Sequence, residues 1–297
     1  LFRRVTGLDR MHYDAEASFD DIVLPPARRV LDQIDPGTVR YLIYAYAAHG
    51  ATGAPADTAQ RLCRSLGLRS ATAFAITQQN CAIPLTAIDL AGTLLTASGD
   101  PDARALIVTG EKLTPHQARQ LNTVMLADGA ASCLVSTNGR GGRVLSFATR
   151  TRGEYYDGLQ GSRAQFRAAA EERPKLLREV MTEAATEAGY RLSDLQLIVP
   201  PNQGLPFWGG TLDSAELVDK AFFDNNARHS HCLAADLFIN YATLTRQRRW
   251  QTGRPSLFVA TGLGWTYSAM VLLPVPATAR PAGLDSAPAA RCGTPWN

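Results

Sequence analysis

The sequence lacks any apolar run near the roughly 20 residues that a membrane-spanning helix needs. Stretches such as Val39 to Ala48 and Ala105 to Thr109 stay short, and the N-terminus opens on Phe2-Arg3-Arg4 with no apolar signal core. No membrane association and a cytoplasmic location are therefore expected. Charge of one sign is also scarce: 30 basic and 27 acidic residues leave a formal net charge of +3. Apart from the short run Arg246, Arg248 and Arg249, no basic block offers itself to a phosphate backbone, so nucleic acid is not an expected partner. The five cysteines, Cys63, Cys81, Cys133, Cys232 and Cys292, are odd in number and never in CxxC spacing, which excludes a disulfide framework and a structural zinc. No histidine pair stands at ligand spacing with carboxylates, so no metal is expected. Gly262-Leu263-Gly264 lacks the rest of a dinucleotide fingerprint, no Gly-x-Ser-x-Gly elbow occurs, and no bound cofactor is expected. An important cysteine must act alone.

What is present is an ordinary globular composition, 45% hydrophobic and 19% charged over 297 residues, long enough to bury a sizeable core. Ser18 to Ile34 reads as a helix with Pro25 and Pro26 near its first turn, ended by Asp35-Pro36-Gly37. Val39 to Tyr46 is a short, β-prone run suited to a strand covered on both faces. A helix (Asp57 to Leu66), a strand (Ala71 to Thr77), a long helix (about Cys81 to Ala97) and a strand (Ala105 to Thr109) follow. This alternation predicts an α/β layered fold. Two more strands, Ala130 to Val135 and Arg143 to Thr149, are joined by the turn Asn138 to Gly142, where the alternation pauses. The order then repeats: a helix (Pro174 to Ala188), a strand (Leu195 to Pro200), helices (about Leu212 to Phe222 and about Cys232 to Arg246) and strands at Ser256 to Ala260 and Tyr267 to Leu273. The repeated order predicts two duplicated halves, 1–142 and 143–274, and the Pro-, Ala-, Gly- and Ser-rich residues 275–297 read as a flexible tail.

Cys81 follows a buried strand and opens an apolar helix, in Gln78-Gln79-Asn80-Cys81-Ala82-Ile83-Pro84-Leu85. Unpaired amides and the positive end of the helix dipole stabilise a thiolate there and can donate to a developing oxyanion. A lone cysteine in an apolar helix is more often a packing residue; the context decides. In order along the chain, Val5 to Arg10, Thr77 to Ala87, Leu106 to Glu111, Asp128-Gly129-Ala130-Ala131 and Gly262 to Thr266 resemble segments of ketoacyl synthase III enzymes of the thiolase superfamily. The resemblance implies a thiolase-like fold, a homodimer, and a ping-pong reaction in which an acyl thioester on an acyl carrier protein or coenzyme A loads Cys81. It also implies the backbone amides of Cys81 and Leu263 as oxyanion donors, with Gly264 supporting the turn.

In that family a Pro-His motif and a Gly-Asn segment complete the site. Here the corresponding strand ends Ile198-Val199-Pro200-Pro201-Asn202-Gln203, with Pro201 where the histidine stands and Asn202 one residue on. Arg228 to Asp236 resembles the second segment, with Ser230 for glycine and His231 at the catalytic position. Decarboxylative condensation needs two neutral donors to hold an enolate, and one imidazole beside a proline supplies that poorly. Simple acyl transfer needs less, because an imidazole can take the proton of an alcohol or amine acceptor. Cys81, His231 and Asn202 are thus the expected catalytic residues. Asp236 has a supporting role at most, since five residues from His231 overshoots one helical turn. An O- or N-acylating enzyme of specialised metabolism is expected; a condensing enzyme and a non-catalytic partner subunit are the rivals. An adenine-stacking aromatic would fall near Leu1 or Phe2 and matches poorly, which favours carrier-protein donors, and Arg246, Arg248 and Arg249 suit an acidic carrier. His49 and His116 read as loop residues.

Overall fold

The structure, a computed structural model, describes residues 7–47, 57–113, 119–121, 124–139, 141–155, 157, 160–213, 215–251 and 253–274. His49, His116 and the expected tail 275–297 lie outside the described residues. The elements run α1 (Phe19–Leu31), β1 (Val39–Ala45), α2 (Thr58–Ser65), β2 (Thr72–Ile76), α3 (Ile83–Ser98), β3 (Arg104–Glu111), β4 (Gln120–Leu121), β5 (Val124–Met125) and β6 (Gly129–Ser136). Then follow β7 (Arg143–Thr151), α4 (Arg163–Glu187), β8 (Ile198–Val199), α5 (Leu205–Asp213), α6 (Asn226–His229), α7 (Asp236–Arg246), β9 (Ser256–Gly262) and β10 (Thr266–Leu273).

Two four-stranded sheets result, ordered β2-β1-β3-β6 and β7-β10-β9-β8. In the first, β1 lies parallel to β2 and β3 while β6 runs antiparallel to β3; in the second, β8 and β9 are parallel and β10 is antiparallel to both β9 and β7. The triple β1, β3, β6 thus has its counterpart in β8, β9, β10. Side chains alternate across both sheets as the period of two requires. Ile43, Ala105 and Ile107 point into the layer that holds Cys81, whereas Leu42, Leu106 and Val108 pack on α1 and α2. Val199, Phe258 and Ala260 face that same central layer from the other side, while Ile198, Leu257 and Val259 face α4 and α5. Helices α3 and α7 are therefore the middle of five layers, packed on both faces.

That burial explains a departure from expectation. Asn80–Ser98 is by length and composition apolar enough to cross a membrane, with a mean hydropathy of 1.4. Its apolarity has another cause here, since Ile83, Ala87, Ala91 and Leu95 serve one sheet and Leu85 the other.

Several boundaries also move. Pro25 and Pro26 sit at the seventh and eighth positions of α1, not in its first turn. The helix survives them because Ser18 forms a capping box with Asp21 and because Val23, Leu24 and Ala27 are buried. Pro174 lies inside the 25-residue α4, which starts at Arg163 and not at the proline. The helix expected at Leu212 to Phe222 is instead α5, seven residues earlier, running through Gly209 and Gly210 with Trp208 fully buried. Tertiary packing overrides the glycine pair. The strand expected over Leu195 to Pro200 shortens to β8, two residues long. Strands β6 and β7 do not form a hairpin; they belong to different sheets.

Candidate active site

Cys81 sits in a 3-10 turn, Asn80–Ala82, immediately before α3. The loop enters it through left-handed backbone at Gln78 (φ 82°) and Asn80 (φ 47°), a conformation non-glycine residues adopt at a cost and that clusters at functional sites. Gln79 is tied down by Thr86, whose Oγ1 donates to Gln79 Oε1 at 2.5 Å. The result is a cysteine 5% exposed at the amino end of a 16-residue helix, the end that favours negative charge.

His231 is 2% exposed and its Nε2 stands 3.3 Å from Cys81 Sγ. Its Nδ1 lies 2.5 Å from Asp236 Oδ2. The expectation that Asp236 is too far along a helix for direct pairing fails, because His231 and Cys232 are not helical. The chain turns through Leu233–Ala235 before α7 begins at Asp236, which folds the carboxylate back on the ring. Asp236 is completely buried and accepts three further bonds: from Asn202 N (2.7 Å), Asn202 Nδ2 (3.1 Å) and Cys232 N (2.8 Å). Cys81, His231 and Asp236 thus form a line of thiol, imidazole and carboxylate, an arrangement able to activate a sulfur nucleophile. Burial opposes a charge on the ring, but the interactions with Cys81 and Asp236 on either side outweigh it and raise His231 to about 10.

Asn202 is brought into this constellation, 3% exposed, but by gripping Asp236 and not by touching Cys81. It is a positioning residue. Pro201 is buried beside it, and among the described residues His231 is the imidazole that reaches Cys81. Ser230 takes a positive-φ backbone that a glycine would favour (φ 61°).

The glycine-rich turn joins β9 to β10 and closes on the cysteine loop from the other half. A Cβ at Gly262 would lie 1.9 Å from Gln79 O, so only glycine allows this approach. Gly264 has φ 97°, as the third residue of a turn closed by Trp265 N–H to Gly262 O at 2.9 Å. Asn80 Nδ2 donates to Leu263 O, which ties the turn to the residue preceding the nucleophile. Sequence reasoning assigned no role to Asn80; a polar residue with a left-handed backbone leaves no periodic signal.

Residues 185–273 match the family model for the C-terminal part of 3-oxoacyl-[acyl-carrier-protein] synthase III. No curated protein matches the sequence. Among solved structures, ChlB3, described as an acyltransferase, is similar at TM-score 0.83 with 20% identity, covering 93% of this chain and 90% of its own. The 3-oxoacyl-[acyl-carrier-protein] synthase III of Aquifex aeolicus VF5 is similar at 0.77 with 18% identity, over 90% and 88%. OleA of Xanthomonas campestris with bound cerulenin reaches 0.78 with 18% identity, over 92% and 86%. Residues 185–273 are therefore similar to the C-terminal part of 3-oxoacyl-[acyl-carrier-protein] synthase III, and the chain has the thiolase-like fold of these structures over 90–93% of its length.

Proposed function

We propose that this protein transfers an acyl group from an acyl carrier protein or coenzyme A thioester, through a Cys81 thioester, to an alcohol or amine acceptor of specialised metabolism. The observation that carries the reading is the line Cys81, His231, Asp236, in which one imidazole serves the nucleophile and Pro201 occupies the place of a second. The similarity to ChlB3, described as an acyltransferase, supports it.

The electrostatics suit two half-reactions. In the loading half-reaction His231 carries a proton and stands 3.3 Å from Cys81 Sγ, one of the two partners that raise it; passing the Cys81 proton to the ring leaves the sulfur free to attack as a thiolate. The thiolate attacks the donor's carbonyl carbon; collapse of the adduct breaks the carbon–sulfur bond to the carrier, and the departing thiolate takes the proton from His231. With Cys81 now a neutral thioester, one of the two partners that raise His231 is removed, and the ring, still oriented by Asp236, can act as a base. The acceptor's oxygen or nitrogen attacks, its proton passes to His231, and expulsion of the Cys81 thiolate restores the ion pair. Asp236, held by four bonds, keeps Nδ1 protonated so that Nε2 faces the chemistry. The backbone amides of Cys81 and Leu263 are proposed as oxyanion donors. We further propose a homodimer formed along β2, an edge strand of the first sheet.

Incubation with short and medium acyl thioesters, followed by intact mass measurement, should give a single acyl adduct in the wild type and none in Cys81→Ala. Steady carbon dioxide release and a 3-oxo product from a malonyl thioester would instead establish condensation and sink the acyl-transfer reading.

A further inference from the structure

Three segments interlock behind the catalytic imidazole. The irregular stretch from Gly7 to Ala17 crosses α6, and the N–H groups of Asp9 and Arg10 both donate to Ala227 O (3.0 and 2.9 Å). His12 O accepts from Asp128 N (3.0 Å), while His231 donates through its N–H to Met125 O (3.0 Å) and accepts at its O from Ala127 N (2.9 Å). Residues 125–128 are thereby held between the N-terminal stretch and the segment that carries His231. A side-chain link closes this ring: His12 Nε2 lies 2.7 Å from His229 Nδ1, with the two rings 19° from parallel and their centroids 4.9 Å apart.

A contact this short between two imidazole nitrogens requires a proton on one and a bare lone pair on the other. The surroundings favour that neutral state. Burial lowers His12, and burial together with His12, Arg246 and Arg228 lowers His229 to about 4, against the opposing pull of Asp236. Beside the pair, Cys232 Sγ lies against His229 O, and Asp128, whose N–H donates to His12 O, has its carboxylate engaged by Arg119 and Leu113 N.

The residue between His229 and His231 is Ser230, in left-handed backbone at φ 61°. A conformation of that kind persists only when both flanks are fixed. On the catalytic side the flank is fixed by Met125 and Asp236; on the other side the side-chain anchor is the imidazole pair. We propose that His12 and His229 are positioning residues, a neutral imidazole clasp that fastens the N-terminal stretch to the His231 segment and so holds the His231 ring at Cys81. The clasp rests on His231 serving Cys81, as in the acyl-transfer reading.

Its test uses the full chain and two readouts. Alkylation of Cys81 by iodoacetamide, followed by peptide mass, reports on the Cys81–His231 pair without any acyl substrate; turnover of the acyl-enzyme reports on the base. His12→Phe removes the link and is expected to slow both by about tenfold or more, the scale on which a small misplacement of a reacting group costs rate. In the double variant His12→Gln, His229→Asn an amide nitrogen and an amide oxygen can replace the two ring nitrogens. It should restore both rates to within about threefold of wild type, because the amide pair supplies the same donor and acceptor. If His12→Phe fails to fold, the double variant decides alone. His12→Phe within twofold of wild type in alkylation, or a folded double variant tenfold or more slower than wild type, overturns the clasp. Failure of the wild type to load any acyl thioester would defeat the acyl-transfer reading instead, while alkylation would still judge the clasp.

Discussion

At the residue scale the decisive group is Asp236, whose carboxylate accepts from His231, from Asn202 twice and from Cys232 in a site closed to solvent. Asp236→Asn keeps the shape but brings N–H donors to where donors already point. It is expected to lower the transfer rate by about 10²- to 10⁴-fold, as loss of an orienting carboxylate does in related constellations, measured as decay of the Cys81 acyl adduct with acceptor present. Gly262→Ala drives a methyl into Gln79 O. Overpacking of this kind costs about 1–3 kcal/mol, so thermal unfolding should show it together with slower loading of Cys81. The histidines also set an acid limb. His229 is lowered to about 4 in the folded protein from an unfolded value near 6.5, so the unfolded chain binds the proton first and stability falls as pH drops from about 6.5 toward 4. His231, raised to about 10, contributes fully below its unfolded value and adds no slope in that window. Melting temperature followed across those pH values should decline more steeply in wild type than in the double variant His12→Gln, His229→Asn.

At the element scale Cys81 and His231, the proposed catalytic side chains, owe their position to the same device, a 3-10 turn just before a central helix: Asn80–Ala82 ahead of α3 and Leu233–Ala235 ahead of α7. Each turn brings its reactive residue to the amino end of a helix that is buried between the sheets. The peripheral α1 is less constrained. Pro25 lies mid-helix and exposed, and without an N–H it cannot bond Asp21 O. Pro25→Ala is expected to raise stability by about 1–2 kcal/mol, the helix-interior penalty of proline less the added freedom of the unfolded chain, and denaturant titration measures it.

At the scale of the whole molecule, the two sheets interlock through one shared layer, so the halves form one site between them: Cys81 comes from the first and His231, Asp236 and Gly262 from the second. Among the described residues, strand β2 leaves the first sheet with an open edge carrying half-buried Ala73, Phe74 and Ile76, a surface that proteins cover or blunt. Light scattering should give the mass of two chains, and Ala75→Lys, which adds a charge at an exposed position of that edge, should shift the mass toward one.

The sequence by itself determined the α/β alternation, the repeated order of elements and Cys81 at a strand-to-helix junction, because hydrophobic period and turn residues are local properties. It also pointed to His231 and to the glycine turn, through an ordered resemblance in which each piece alone was weak. The tertiary structure alone decided the rest. Spacing argued against Asp236, since five residues overshoot a helical turn, until the chain proved to fold back before α7. Asn202 became a grip on Asp236, and Asn80 and the pair His12 and His229 acquired partners up to 217 residues away. Contacts of that kind depend on which layers meet, and no local pattern of residues encodes them.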